Sequence, residues 1–176
     1  NNATHILWLD SDMHFPANVF DKLYEHQKDI IAAQYSTRYA PYRTVAFTDC
    51  ENADSRLDAS FGLHKVWAVG MGCMLVNTNV YNNLPKPWFN HEYNKRLDTF
   101  SGEDIYFCNQ AMHHGYEVWI DRKYQTCTFW NKGKRAMKAI DRFERFGTPV
   151  HNGQDFLKNH IFKKYPVIKT DDYENL

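Results

Sequence analysis

Short apolar runs alternate with polar stretches along the whole chain, and the spacing inside each run predicts its structure. Ile6-Leu7-Trp8-Leu9 is apolar at four successive positions with no 3.6-residue period, which predicts a strand covered on both faces. After Phe15 and Pro16 close a loop, residues 17–27 place Val19, Phe20, Leu23 and Tyr24 on one side, the period of a helix, with Pro16 suited to its first turn. A second strand is predicted over 29–35. Residues 36–62 are polar, rich in turn formers and without period, and read as a variable loop or insertion. Residues 66–69 are strand-like, Gly70-Met71-Gly72 lets the backbone turn or approach a ligand closely, and Cys73-Met74-Leu75-Val76 resumes the apolar run. Asn77 is placed to cap a short helix over 78–84, which Pro85 and Pro87 stop. Ser101 or Gly102 caps a helix over 103–114 that Gly115 ends, a strand follows over 117–121, and 124–130 reads as one more. Residues 135–146 have the pattern of an amphipathic helix, and 156–165 that of a last one. The sum is an α/β protein: a mixed sheet containing 6–9, 30–34, 73–76 and 118–120, flanked by helices.

Length and composition narrow the class. One domain with a short tail fits 176 residues, and 43% apolar residues are enough for a core. Lys plus Arg equals Asp plus Glu at 21 each, so nothing steers the chain to nucleic acid or an anionic membrane surface. Cys50, Cys73, Cys108 and Cys127 form no C-x-x-C pair, and reduced thiols are expected. With no apolar run of membrane-spanning length and no signal-peptide pattern, a cytoplasmic protein without a membrane segment is expected. The chain starts Asn1-Asn2-Ala3 and enters its first strand almost at once, so an upstream part is expected to be missing.

Chemistry gathers at two acidic centres. Asp10 and Asp12 follow the first strand one residue apart, and an extended segment puts both on one side, where they can converge on a divalent cation or a polyol. An Asp-rich turn explains the same residues without function. Glu103 and Asp104 occupy the first turn of a helix, where acids complement the dipole and where an ionised carboxylate could serve as a general base. Trp88, Phe89 and Phe100 offer flat faces for a sugar, or simply pack.

Taken in order, L-W-L-D-S-D-M-H-F-P, V-G-M-G-C-M-L-V-N-T-N-V-Y, S-G-E-D-I-Y-F-C-N-Q-A and G-Y-E-V-W-I-D resemble the second half of a GT-A-fold, nucleotide-sugar-dependent glycosyltransferase of the inverting family-two type, over about residues 5 to 121. The resemblance implies a GT-A-like sheet in which 1–150 is the C-terminal part of the catalytic domain and 151–176 a C-terminal helix or tail. It implies that Asp10 and Asp12 hold the ribose and a Mn2+ or Mg2+ ion on the diphosphate, and that Gly70 and Gly72 lie under the donor sugar and acceptor. It further implies that Asp104 is the base that deprotonates the acceptor hydroxyl, with Glu103 its polar neighbour. The partners implied are a nucleotide-sugar donor and a saccharide or other hydroxyl acceptor. Two departures stand out. The βαβ half that holds the nucleotide base in such enzymes has no room before Asp10. The metal-binding His that many relatives carry after the last matched strand is also missing, and His14, His113, His114 and His151 are candidates by proximity alone.

Two other classes remain open. An apolar strand ending in D-x-D also resembles haloacid-dehalogenase-like phosphatases, with Asp10 as nucleophile and Asp12 as acid/base, although no G-D-x-x-x-D loop is present. A truncated transferase half that keeps a metal- or saccharide-binding surface without catalysis is the other.

Overall fold

The computed structural model describes residues 3–10, 13–37, 43–50, 55–57, 61–95, 98–125, 127–128 and 150–152. In chain order the elements are β1 (His5–Leu9), β2 (Met13–Pro16), α1 (Val19–Tyr24), β3 (Ile30–Gln34), β4 (Ala46–Phe47), β5 (Leu63–Val66) and β6 (Ala68–Val69). They continue with β7 (Cys73–Asn77), α2 (Thr78–Asn83), β8 (Tyr93–Asn94), β9 (Thr99–Phe100), α3 (Glu103–His113), β10 (Val118–Gln125), β11 (Cys127–Thr128) and β12 (Val150–Asn152). The predicted helices over 135–146 and 156–165 lie outside the described residues.

A five-stranded mixed sheet in the order β1-β7-β3-β10-β5 carries the structure. β3 and β10 run parallel, and every other neighbouring pair is antiparallel. Successive rungs of the ladder face opposite ways. Val76, Ile30, Val118 and Val66 pair across one rung, and Trp8, Met74, Ala32 and Ile120 across another on the same face. There they meet Val80 and Tyr81 of α2 and Phe107, Cys108 and Ala111 of α3 in one buried cluster. The intervening rungs put Leu7, Leu75, Ile31 and Trp119, then Leu9, Cys73, Ala33 and Leu63, on the other face with Val19 and Leu23 of α1 and Met13 and Phe15 of β2. Both faces of the sheet are therefore covered, and Ile30 to Ala33 and Cys73 to Val76, the apolar runs that the period-free pattern marked, are buried throughout.

Four expectations need correction. The first strand is covered on both faces only in part: Trp8 packs on one and Leu7 and Leu9 on the other, but β1 is an edge strand and Ile6 is 37% exposed. Phe15 and Pro16 do not close a loop but belong to β2, which pairs with β11 on one side and β12 on the other. The region 36–62 is not merely a loop, because Ala46 in β4 is fully buried and pairs with Val69 of β6. The strand-like run 66–69 breaks at Trp67, so that β5 joins the large sheet while β6 joins β4. Each of these depends on a partner distant in sequence, which a local pattern does not encode.

Helix ends follow local chemistry. The Asn77 side chain accepts the Asn79 N–H at 2.9 Å, as expected of a cap. Gly102 takes the N-cap of α3, and Gly115 leaves the helix at φ +84, in the left-handed region that glycine enters freely. α1 is tied to the sheet by a polar clamp. His26 Nε2 donates to Asp121 Oδ2 at 2.6 Å, Lys123 N–H donates to Asp121 Oδ1 at 2.7 Å, and Asp121 is 1% exposed. A buried carboxylate that loses a partner bears its desolvation cost, so His26→Ala should lower the unfolding free energy by about 1–3 kcal/mol in urea titrations. An unchanged midpoint would show that the clamp contributes nothing.

Candidate active site

β1, β3 and β10 all run toward the same edge of the sheet, and β7 starts there. That edge gathers residues from far apart in the chain. Asp10 follows β1 and is exposed, with its backbone N–H donating to Gly72 O at 3.0 Å, so the last rung of the β1–β7 ladder fixes where it stands. Asp12 lies outside the described residues. Met13 N–H donates to Asp10 O at 3.1 Å, turning the chain into β2.

Tyr35, directly after β3, occupies the middle. Its ring lies over the two glycines: a Cβ on Gly70 would stand 1.8 Å from Tyr35 Oη and 2.9 Å from Val45 Cγ1, and a Cβ on Gly72 would stand 3.0 Å from Tyr35 Cζ. The glycines exist here because a phenol fills the space that side chains would need. What faces Gly70 and Gly72 in this structure is Tyr35. Gly72 N–H donates to Tyr35 Oη at 3.3 Å.

Asp104 enters from the first turn of α3. Ile105 N–H donates to its Oδ1 at 2.8 Å, and the carboxylate folds back over the cap so closely that a Cβ on Gly102 would stand 2.5 Å from Oδ1. Gly102 thus makes room for Asp104 itself. The helix dipole favours an ionised carboxylate, yet burial outweighs it: burial first, then the neighbouring charges of Glu103 and Asp10, push the Asp104 carboxyl above the ordinary range, against the backbone amide at Ile105. The Tyr35 phenol is likewise raised, first by burial and then by the charges of Asp104 and Asp10. Asp10 also adds to the burial that lifts the Cys73 thiol to about 12. These mutual influences place Asp10, Tyr35, Cys73 and Asp104 in one electrostatic neighbourhood.

The remaining sequence-predicted residues divide. Glu103 is exposed and faces His91, with Nε2 to Oε2 at 3.7 Å. Trp88 and Phe89 are half-buried and pack into the aromatic cluster under α3. Phe89 lies 5.4 Å from Trp8, edge-on, and 5.4 Å from Phe107, stacked, while Trp88 lies 5.1 Å from Tyr81. Phe100 is 67% exposed on β9 and leans on Tyr93 at 5.2 Å, two residues before the cap of α3. Of the candidate histidines, His14 lies on β2 opposite Cys127 and Asn152, and His151 on β12 opposite Phe15. His113 and His114 end α3 away from its acidic start.

Sequence reasoning missed Tyr35 and the polar edge beside it. Arg122 Nε donates to the buried Gln34 Oε1 at 2.6 Å, and Gln34 Nε2 donates to Thr44 Oγ1 at 3.4 Å, tying β10, β3 and the chain before β4 together. Tyr35 follows a wholly buried strand, and no local pattern ties it to the distant G-x-G.

Among the described residues no group of three or more His, Cys, Asp or Glu side chains is assembled for a metal ion. Of the predicted metal pair, Asp10 is exposed at the end of β1 and Asp12 lies outside the described residues. No helix among the described residues is long and apolar enough to cross a membrane.

No protein-family model matches the chain, and no curated protein matches it. Among solved structures it is similar to the crystal structure of A197 from STIV, at 15% sequence identity and a TM-score of 0.50, over 74% of this chain and 60% of that one. The chain thus spans 60% of that relative's length, and at this identity the likeness concerns the fold alone.

Proposed function

We propose that this chain is the acceptor-side part of a GT-A-like, nucleotide-sugar-dependent glycosyltransferase that moves a sugar to an acceptor hydroxyl with inversion. The observation that supports the reading is that Asp10, after β1, and Asp104, in the first turn of α3, both act electrostatically on Tyr35 and on each other although they come from distant parts of the chain. In this reading Asp104 accepts the proton of the attacking hydroxyl. Its raised affinity for protons makes it a stronger base than an ordinary carboxylate while its place at a helix start keeps it accessible. Asp10, with Asp12, holds the donor's diphosphate through Mn2+ or Mg2+, and the cation would offset charge on the departing nucleoside diphosphate. Phe100 and Tyr93, exposed beside the cap of α3, supply an apolar face for an acceptor ring. Glu103 adds negative charge beside Asp104 without sharing its burial.

Calorimetry with Mn2+ and a nucleoside diphosphate tests the donor half of this reading. The parent chain should bind the pair, and Asp10→Ala should weaken binding by at least about tenfold, the lower end of what outer-shell partners of a metal cost. Equal binding by the variant would remove Asp10 from the site. Binding without sugar transfer under any donor would favour a non-catalytic binding chain.

A further inference from the structure

β1 stands at one edge of the five-stranded sheet, and its backbone parity fixes what that edge offers. Thr78 N–H donates to Thr4 O at 2.9 Å and Asp10 N–H donates to Gly72 O at 3.0 Å, so in this antiparallel ladder the even-numbered residues of β1 bond to β7. The backbone N–H and C=O groups of His5, Leu7 and Leu9 therefore point away from the sheet, and among the described residues they have no hydrogen-bond partner. An open edge of this kind is a template for another strand unless charge, proline or a bulge blunts it. β1 has no acidic residue, lysine, arginine or proline, and its register with β7 runs unbroken from His5 opposite Asn77 to Leu9 opposite Cys73. β5, at the opposite edge, carries Lys65 in an ion pair with Glu117 at 2.8 Å. Apolar surface flanks the open edge on both faces of the sheet. Ile6 is 37% exposed on the face of Trp8, and on the other face Tyr24, 43% exposed, meets His5 edge-on at 5.1 Å.

We propose that the β1 edge is a self-association surface on which a second copy of this chain pairs, β1 against β1, antiparallel about a two-fold axis at Leu7. The strand that such an edge requires is uncharged and offers donors and acceptors at alternate residues, and β1 is itself that strand. Under the two-fold, Leu7 exchanges N–H···O bonds with the partner's Leu7, and His5 exchanges them with the partner's Leu9, so every open backbone group on the edge gains a partner. Ile6 then lies across from the partner's Trp8, which covers the exposed side chain on that face. Charge does not oppose the pairing. The chain is formally neutral, with 21 basic and 21 acidic residues. Antiparallel pairing also sends the two Asp10 carboxylates to opposite ends, roughly 20 Å apart at about 3.4 Å per residue and beyond the screening length of physiological salt. The pairing does not depend on the transferase reading, and its test is separate.

Pairing through one strand buries less than a standard interface, so the expected result is a reversible dimer with a Kd on the order of 10–100 μM. Sedimentation equilibrium of the full chain across that range should show the mass rising toward twice that of one chain. Hydrogen exchange followed amide by amide adds a readout specific to this edge. Ile6 and Trp8, bonded to β7, should be protected at every concentration, while His5, Leu7 and Leu9 exchange freely when dilute and slow in step with the dimer fraction. Ile6→Lys puts a charge on the exposed edge, and His5→Pro deletes one outward N–H while leaving the β7 ladder intact. The two-fold doubles each change, so either variant should melt near the parent temperature and weaken the dimer about tenfold or more, the scale of two hydrogen bonds. Should either variant unfold, the exchange pattern of the parent decides alone. A chain that stays monomeric throughout overturns the proposal. So does a dimer that a folded Ile6→Lys leaves unweakened, or one in which His5, Leu7 and Leu9 still exchange freely, since another surface then joins the copies. Protection of those three amides in a dilute monomer also overturns it, because a segment of the same chain then covers the edge.

Discussion

Asp104→Asn should lower sugar transfer by about 100-fold or more, the usual scale for loss of a general base, with little change in nucleotide affinity. The same substitution should make the fold more stable at neutral pH. The sign follows from the direction of its proton affinity. Burial raises the folded-state value above the ordinary 3.8, so the folded chain prefers the protonated acid, and stability is highest below that ordinary value and is lost as pH rises through the raised one. Above that window the parent carries an ionised carboxylate held among Glu103 and Asp10, and Asn removes the charge while its side-chain oxygen still accepts the Ile105 N–H. Thermal melts at two pH values check this: the variant should exceed the parent at pH 7, and the gap should close near pH 3. Turnover of the parent should fall as acid protonates Asp104, and that limb should be missing from the residual activity of Asp104→Asn. Full activity of the variant together with higher stability would leave Asp104 as a strained helix-start acid and move the base elsewhere. Lost activity with gained stability is the mark of a site residue, since a helix-start acid with no part in the reaction would gain stability and keep its activity.

The sheet's membership was legible because β3 and β7 are buried on both faces, and burial on both faces writes itself as an unbroken apolar run. β1 has the same kind of run for a different reason. Its inner positions face the sheet's two layers, while Ile6 stands at the edge, and the sequence carries no sign of which neighbour is absent. β4 was illegible because it is two residues long in a polar region, and the split of the strand-like run 66–69 at Trp67 was illegible because β6 pairs with that distant strand. β2 was hidden by its proline, which is tolerated because Pro16 pairs at the end of a short strand, opposite Val150. The two acidic centres were legible singly, each after a clear element boundary. Their mutual influence was not, since the two lie far apart in the chain and only tertiary packing, with α3 set against β6, brings both to act on one phenol. The G-x-G was read as an approach for a ligand. The structure shows an internal reason for both glycines, which is the ring of Tyr35.

Phe107→Ala should be the most damaging single change to the fold. Phe107 is fully buried on the sheet-facing side of α3, with Tyr81 stacked on it at 5.4 Å and Phe89 at 5.4 Å. Truncating a buried Phe removes its transfer energy and leaves a cavity, together about 3–5 kcal/mol. Against a typical stability of about 5–15 kcal/mol for a domain, that is a large share. Relaxation is limited, because Tyr81 is held by the Trp8 indole N–H at 2.8 Å and Phe89 is braced edge-on by Trp8 at 5.4 Å, so neither ring can swing freely into the void. Urea titration should show the unfolding free energy falling by this amount, as a lower midpoint with an unchanged slope. The consequence reaches the site through α3: the helix that Phe107 anchors also carries Asp104 one turn earlier, so the surviving folded molecules should also bind acceptor less well. Phe107→Leu separates the two effects. It refills most of the volume, should recover more than half of the lost stability, and should restore activity in proportion if the helix's seating is what Asp104 requires. A loss below about 1 kcal/mol for Phe107→Ala would mean that the cluster closes over the gap, and that α3 is held instead by its contacts at Cys108 and Ala111.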